Sequence, residues 1–174
     1  DEGTGVQGVA FESSIISVRA DNPGSCARTG EDEGCNYNDA ALVRAIQYAV
    51  DQGASVINMS LGGEIDANPE LENAVRSAAS AGVLVVISAG NEAEPAIDDG
   101  MGNITPAVGG TPTEPAYIAG QDQSLGRVVA VGSIDLNRTI SDFSNRAGND
   151  AKSYYILAPG EGVATTGLDD DVVH

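Results

Sequence analysis

A chain of 174 residues with 41% hydrophobic content has room for one domain with a real core, and aromatics at 4% leave that core to Ala, Val, Ile and Leu. Eight Lys and Arg against 26 Asp and Glu give a net charge of −18, which argues against nucleic-acid binding, since that needs a basic footprint. No apolar run is long enough to span a bilayer, and nothing at Asp1 reads as a signal peptide.

Gly3-Thr-Gly-Val-Gln-Gly8 spells a dinucleotide fingerprint, but the residues after it, Phe11–Val18, read as a strand and not as the helix that motif requires. Ile15–Arg19 is the first clear strand. Cys26 and Cys35 are the only cysteines and share a loop, Asp21–Asn36, rich in Gly and charge. Two cysteines and one distant His argue against zinc. The residues alone leave a bridge and two free thiols both open.

Asn38–Gln52 reads as a helix. Leu42, Ala45, Ile46 and Ala49 share one face, Asn38 can cap it and Gly53 can end it. Ser55–Ser60 is the next strand. Asn68–Ala81 repeats the helical pattern, with Asn68 as cap, Pro69 in the first turn, Glu70 and Glu72 at the positive dipole end and Gly82 as terminator. Val83–Ser88 is an unbroken apolar strand, read as buried on both faces, and it stops at Gly90-Asn91. Ligands of open α/β sheets bind at such carboxyl ends. Strands alternating with helices predict βαβ units, a parallel sheet and right-handed crossovers. Residues 92–126 show no period and are punctuated by Pro95, Pro106, Pro112 and Pro115, which predicts a long loop. Arg127–Ser133 and Ser153–Ala158 are further strands, and the tail Thr165–His174 is expected to be loose unless docked. No repeat and no second domain is visible.

Val56-Ile-Asn-Met-Ser-Leu-Gly-Gly63 and Ser88-Ala-Gly-Asn-Glu92 form an ordered set with Gly8-Val-Ala10, Arg127–Ser133, Ser141-Asp-Phe-Ser144 and Leu157-Ala-Pro-Gly160. That set resembles the subtilisin-like serine proteases, the subtilases. The resemblance covers nearly all of 1–174 apart from two insertions. It implies an α/β fold, three-layer, with a mostly parallel twisted sheet and helices on both faces, here incomplete. The family's triad runs in the order Asp, His, Ser. Its Asp and His motifs are expected before Asp1 and its Ser motif after His174, so the chain reads as a single partial catalytic domain. His174 beside Asp169, Asp170 and Asp171 does not make a triad, because the family's order puts Ser after His.

The resemblance also assigns roles. Asn91 matches the oxyanion-hole asparagine, against the simpler reading of a polar turn. Ser60, Leu61 and Gly62 match the segment whose backbone pairs with an extended polypeptide substrate. Ser88, Ala89 and Gly90 would line the primary specificity pocket, with Glu92 at its rim and Thr113–Ala119 beside it. No cofactor is required by this chemistry and no metal site is assigned within the chain. Calcium in the full-length protein is an expectation from the family alone, with Glu2, Thr4 and Val6 as the residues that would take part. Export, also implied, favours a Cys26–Cys35 disulfide. The sequons at Asn58, Asn103 and Asn137 read as chance, with Asn58 placed in a buried strand.

The expected function follows. The chain is part of a subtilisin-like serine endopeptidase that works through an acyl-enzyme; it supplies the oxyanion hole and the substrate-binding strands and is inactive alone. The alternative is a non-catalytic peptide- or partner-binding module on a degenerate subtilase scaffold. An unrelated doubly wound domain binding a small anion is a third reading, which the ordered motifs count against. In subtilases the His and the Ser each head a helix packed on the sheet. The sheet is therefore expected to expose an apolar trough, formed partly by Ser55–Ser60 and Val83–Ser88, and to self-associate there or be covered by the tail.

Overall fold

The computed structural model describes residues 8–27, 35–63, 68–93, 97–98, 101, 104–105, 110–163, 165–166 and 172–173. Helix α1 is Asp39–Asp51. The Asn38 side chain accepts from the Ala40 N–H at 2.9 Å, and Leu42, Ile46 and Ala49 are its buried residues. Strand β1, Val56–Met59, follows, then helix α2, Pro69–Ser80. Asn68 caps α2 by accepting from Glu70 N at 2.9 Å and Leu71 N at 3.4 Å, and Pro69 in the first turn loses no intrahelical bond. Gly82, at φ +96°, turns the chain into β2, Leu84–Ser88. Both helices, both caps and both strands were legible from the sequence to within a residue or two.

Two short antiparallel strands come next, β3 (Ile97–Asp98) with β4 (Ile104–Thr105). Then come 3₁₀ turns at Ala116–Gly120 and Asp122–Ser124, β5 (Val128–Ile134) and β6 (Tyr155–Pro159). β7 (Thr165–Thr166) pairs antiparallel with β8 (Val172–Val173), giving the tail some pairing that the sequence did not suggest. Asp169, Asp170, Asp171, His174, Glu2, Thr4, Val6 and Asn103 lie outside the described residues.

The main sheet has the order β1-β2-β5-β6 and every pairing in it is parallel. Register places Ile57 beside Val85 and Val85 beside Val128; Met59 lies beside Ile87, and Ile87 beside Ala130. All six are buried and share one cluster with Leu42 and Ile46 of α1 and Leu71, Val75 and Ala79 of α2. The helices therefore pack on one face, and full burial of a Val or Ile there is worth about 1.5–3 kcal/mol.

The intervening positions behave differently. Val56 and Leu84, paired in register, are both exposed, and Val86 is only half-buried. This corrects the expectation that Val83–Ser88 is buried on both faces. A run of Val and Ile satisfies either a two-sided or a one-sided strand, and only the cover decides which. Among the described residues the cover lies on one side, which is how the three-layer α/β fold is incomplete here.

Two other expectations are revised. Ile15–Arg19 is extended but belongs to no ladder among the described residues, and Ile15, Ile16 and Val18 are exposed. A cavity of about 890 Å³, lined by Ile15, Ile16 and Val18 on one side and by Ile57, Met59 and Leu42 on the other, separates it from β1. With that cavity between them and no backbone hydrogen bond joining them among the described residues, a strand-like sequence gives no strand. The segment 92–126 was expected to be a loop. Its later part is core instead: Ala116, Ile118 and Ala119 are fully buried, and the turn carrying them packs on β5. Cys26 and Cys35 form a disulfide, as favoured. No helix among the described residues is long and apolar enough to cross a membrane.

Candidate active site

The parallel sheet directs the carboxyl ends of β1, β2 and β5 to one edge. There the open face carries a cleft of about 220 Å³. Asn58 and Ser60 border it from β1, Ser88, Ala89, Gly90 and Asn91 from β2, and Ser133 from β5. Asn91 is exposed in that cleft, and no hydrogen bond among the described residues occupies its amide. Its side-chain N–H₂ is a donor carried on the bend that follows β2.

The residues assigned to substrate binding come together. The Ser88 hydroxyl donates to the Leu61 carbonyl at 3.0 Å, which ties the end of β2 to the segment after β1. Ser60 is exposed and accepts from Asn58 Nδ2 at 3.1 Å. Asn58 is thus exposed on the open face, not buried as its strand position suggested: β1 alternates, and Asn58 takes the open side. Gly62 abuts the 113–119 segment, since a Cβ there would stand 3.2 Å from Thr113 Oγ1 and 3.5 Å from the Glu114 carbonyl. Gly63 N donates to that same carbonyl at 3.2 Å. The Glu114 carboxylate, itself buried, accepts from the Asn68 N–H at 3.1 Å, so the 113–119 segment also braces the start of α2.

Glu92 is exposed, but its carboxylate is not idle. It accepts from Asn145 Nδ2 at 2.7 Å. Asn145 is fully buried and belongs to the stretch immediately after Ser141-Asp-Phe-Ser144. Its N–H donates to the Gly90 carbonyl at 3.0 Å, and its own carbonyl accepts from the Tyr155 hydroxyl at 2.6 Å. Burial pushes the Tyr155 phenol above its ordinary pKa, against the opposing pull of a hydrogen bond from Ser144 and the charge of Arg146. Sequence reasoning missed Asn145 and Tyr155. The signal for the first was adjacent, a motif quoted one residue short; for the second there was none, because only the register of β6 brings Tyr155 to this place.

The strand ends of this α/β sheet thus carry a polar cleft bordered by the Asn91 amide and Gly90, the place where open α/β sheets bind ligands. The family model described as "Subtilase family" matches residues 1–172, and the chain belongs to that family. It is 35% identical over 167 residues to the major intracellular serine protease of Bacillus subtilis (strain 168), covering 95% of this chain and 42% of that protein. It is 37% identical over 142 residues to thermitase of Thermoactinomyces vulgaris, covering 81% of this chain and 39% of that one. Among solved structures, the patellamide maturation protease PatA matches with a TM-score of 0.60 and 30% identity over 82% of this chain and 45% of its own. The chain thus spans less than half the length of these relatives.

Proposed function

We propose that this chain forms the oxyanion-hole and substrate-binding part of a subtilisin-like serine endopeptidase. In acyl transfer the attacked carbonyl carbon becomes tetrahedral and its oxygen takes up negative charge. A donor fixed beforehand stabilises that charge without reorganising at the moment of reaction. Asn91 is the donor, and its uncommitted amide in the cleft is the observation that carries the reading. Ser60, Leu61 and Gly62 supply backbone for an extended polypeptide, with Ser88, Ala89 and Gly90 across the cleft from them. Nucleophile and base are expected from other segments of the full-length protein, so the chain alone should not hydrolyse peptide bonds. The disulfide supports an exported protein, while the likeness to an intracellular protease weighs the other way.

The test is Asn91→Ala in the full-length protein, assayed on a peptide p-nitroanilide. Turnover is expected to fall about 10²–10³-fold with KM little changed, a magnitude carried over from the subtilisin oxyanion-hole asparagine rather than worked from this structure. An unchanged kcat would overturn the assignment.

A further inference from the structure

Asn91 stands alone in the cleft, yet the residues on either side of it are held by a single partner. Asn145 N–H donates to the carbonyl of Gly90 at 3.0 Å, and Asn145 Oδ1 accepts from the N–H of Glu92 at 3.1 Å. Its Nδ2 donates to the Ala89 carbonyl at 3.2 Å and to Glu92 Oε2 at 2.7 Å. The backbone before Asn91 and the backbone after it are therefore tied to one side chain and its own amide. That side chain is fully buried, so water does not compete for these bonds.

The clamp is itself fixed from outside. Tyr155, in β6, donates to the Asn145 carbonyl at 2.6 Å. Tyr155 reaches it by passing over Gly132 of β5, where a Cβ would lie 1.8 Å from the hydroxyl. Two glycines leave space for the amide: a Cβ at Gly90 would meet Asn145 Nδ2 at 2.5 Å, and one at Gly110 would meet Oδ1 at 2.7 Å. Arg146 N–H donates to the Gly110 carbonyl at 2.7 Å, which holds that second wall in place.

We propose that Asn145 is a positioning residue for the proposed reaction, acting through Asn91; the inference rests on the assignment of Asn91 as the oxyanion donor. Without the clamp the Asn91 amide samples directions other than that of the developing charge. Stabilisation of a transition state is sensitive to displacements of about 1 Å. The substrate backbone along residues 60–62 does not lie on this clamp, whereas Ala89 and Gly90, whose carbonyls it holds, face the substrate from across the cleft, so KM should rise a little while turnover falls much further.

The experiment is a double-mutant cycle in the full-length protein, with kcat and KM on a peptide p-nitroanilide and active sites counted by titration with a serine-directed inhibitor. Asn145→Asp keeps the size of the side chain, removes its two N–H donations and sets two carboxylates against each other. In the wild-type background kcat per active site is expected to fall about 10- to 100-fold, with KM within about threefold. In the Asn91→Ala background the same substitution should leave kcat unchanged. Adding Glu92→Gln to Asn145→Asp offers the new carboxylate an N–H₂ donor again and should recover part of the loss. Equal losses in both backgrounds would make Asn145 merely structural and overturn the proposal. So would no loss in either, or a loss expressed in KM alone. Should Asn145→Asp not fold, Asn145→Ser enters the same cycle with the same two expectations. The two readings fail separately: an unchanged kcat in Asn91→Ala removes the oxyanion assignment, whereas a normal effect there with no effect of Asn145 substitution removes only the clamp.

Discussion

Gly90 meets a backbone demand and a packing demand at one position, and Gly82 separates them. Gly90 has φ +107°, and a Cβ there would lie 2.3 Å from Glu92 Oε2, 2.5 Å from Asn145 Nδ2 and 2.6 Å from Thr113 Oγ1. Gly82 has φ +96° with nothing within 4 Å of the same Cβ. At Gly82→Ala only the left-handed backbone is penalised, by about 1–2 kcal/mol. At Gly90→Ala crowding adds about 1–3 kcal/mol, for a total of about 2–5 kcal/mol. Glu92 is exposed and can swing its carboxylate into water, but doing so gives up the bond to Asn145. Asn145 and Thr113 are buried and have no such exit. Urea denaturation of the two full-length variants, with slopes checked for equality, measures the difference directly. Gly90→Ala should be the less stable of the pair, and its kcat should drop as well because the Asn145 clamp is displaced. If Gly90→Ala is no more destabilising than Gly82→Ala, the packing account of this corner is wrong.

Asn68→Ala should cost about 1 kcal/mol in thermal or urea unfolding, because two N–H groups at the start of α2 lose their acceptor; an unchanged midpoint would show that the Glu114 carboxylate, not the cap, sets the start of that helix. Tyr155→Phe should cost about 0.5–1.5 kcal/mol at neutral pH through the lost bond to the Asn145 carbonyl. It should also flatten the alkaline limb. The folded phenol titrates above the unfolded one, so its contribution is complete below the ordinary tyrosine pKa and is lost as pH rises through the folded value. The wild type should therefore lose more stability than the variant in that alkaline range, and parallel pH profiles would refute the cause assigned to the shift.

Much of this was legible because it is local. Asn38, Asn68, Gly53 and Gly82 bracket two helices by capping chemistry that needs no tertiary partner. The strands announce themselves by runs such as Val83–Ser88. Exposure was not local, and there the reading went astray. Val86 and Asn58 were assigned to a buried interior because their neighbours in sequence are apolar, whereas burial depends on what stacks above the sheet. The same limit hid Ile118. Its segment has too many prolines for a helix and no period that marks a strand, yet β5 gives it a dry surface to rest on. Asn91 was singled out by its motif; Asn145 was not, since its contacts are with residues 53–56 positions away.

The division between core and site follows from strand parity. In β1, Ile57 and Met59 enter the core while Asn58 is exposed at the cleft. In β2, Val85 and Ile87 enter the core while Val86 and Ser88 border the cleft. In β5, Val128 and Ala130 are core, and Val131 and Ser133 border the cleft. Side chains alternate across a strand, so a register slip by one residue would put Asn58 against the helices and Ile57 into the cleft. Burying an amide that way, with no partner for it, costs roughly 1–3 kcal/mol, and every displaced apolar side chain adds to the penalty. The hydrophobic period thus fixes the register, and the register delivers the polar groups to the open face. There Asn58 bonds Ser60, Ser88 bonds the Leu61 carbonyl, and the Ser133 and Ser141 hydroxyls lie 2.7 Å apart. The loop bearing Asn91 leaves the sheet from that same edge. The packing of the core residues is in this sense what aims the polar groups of the cleft.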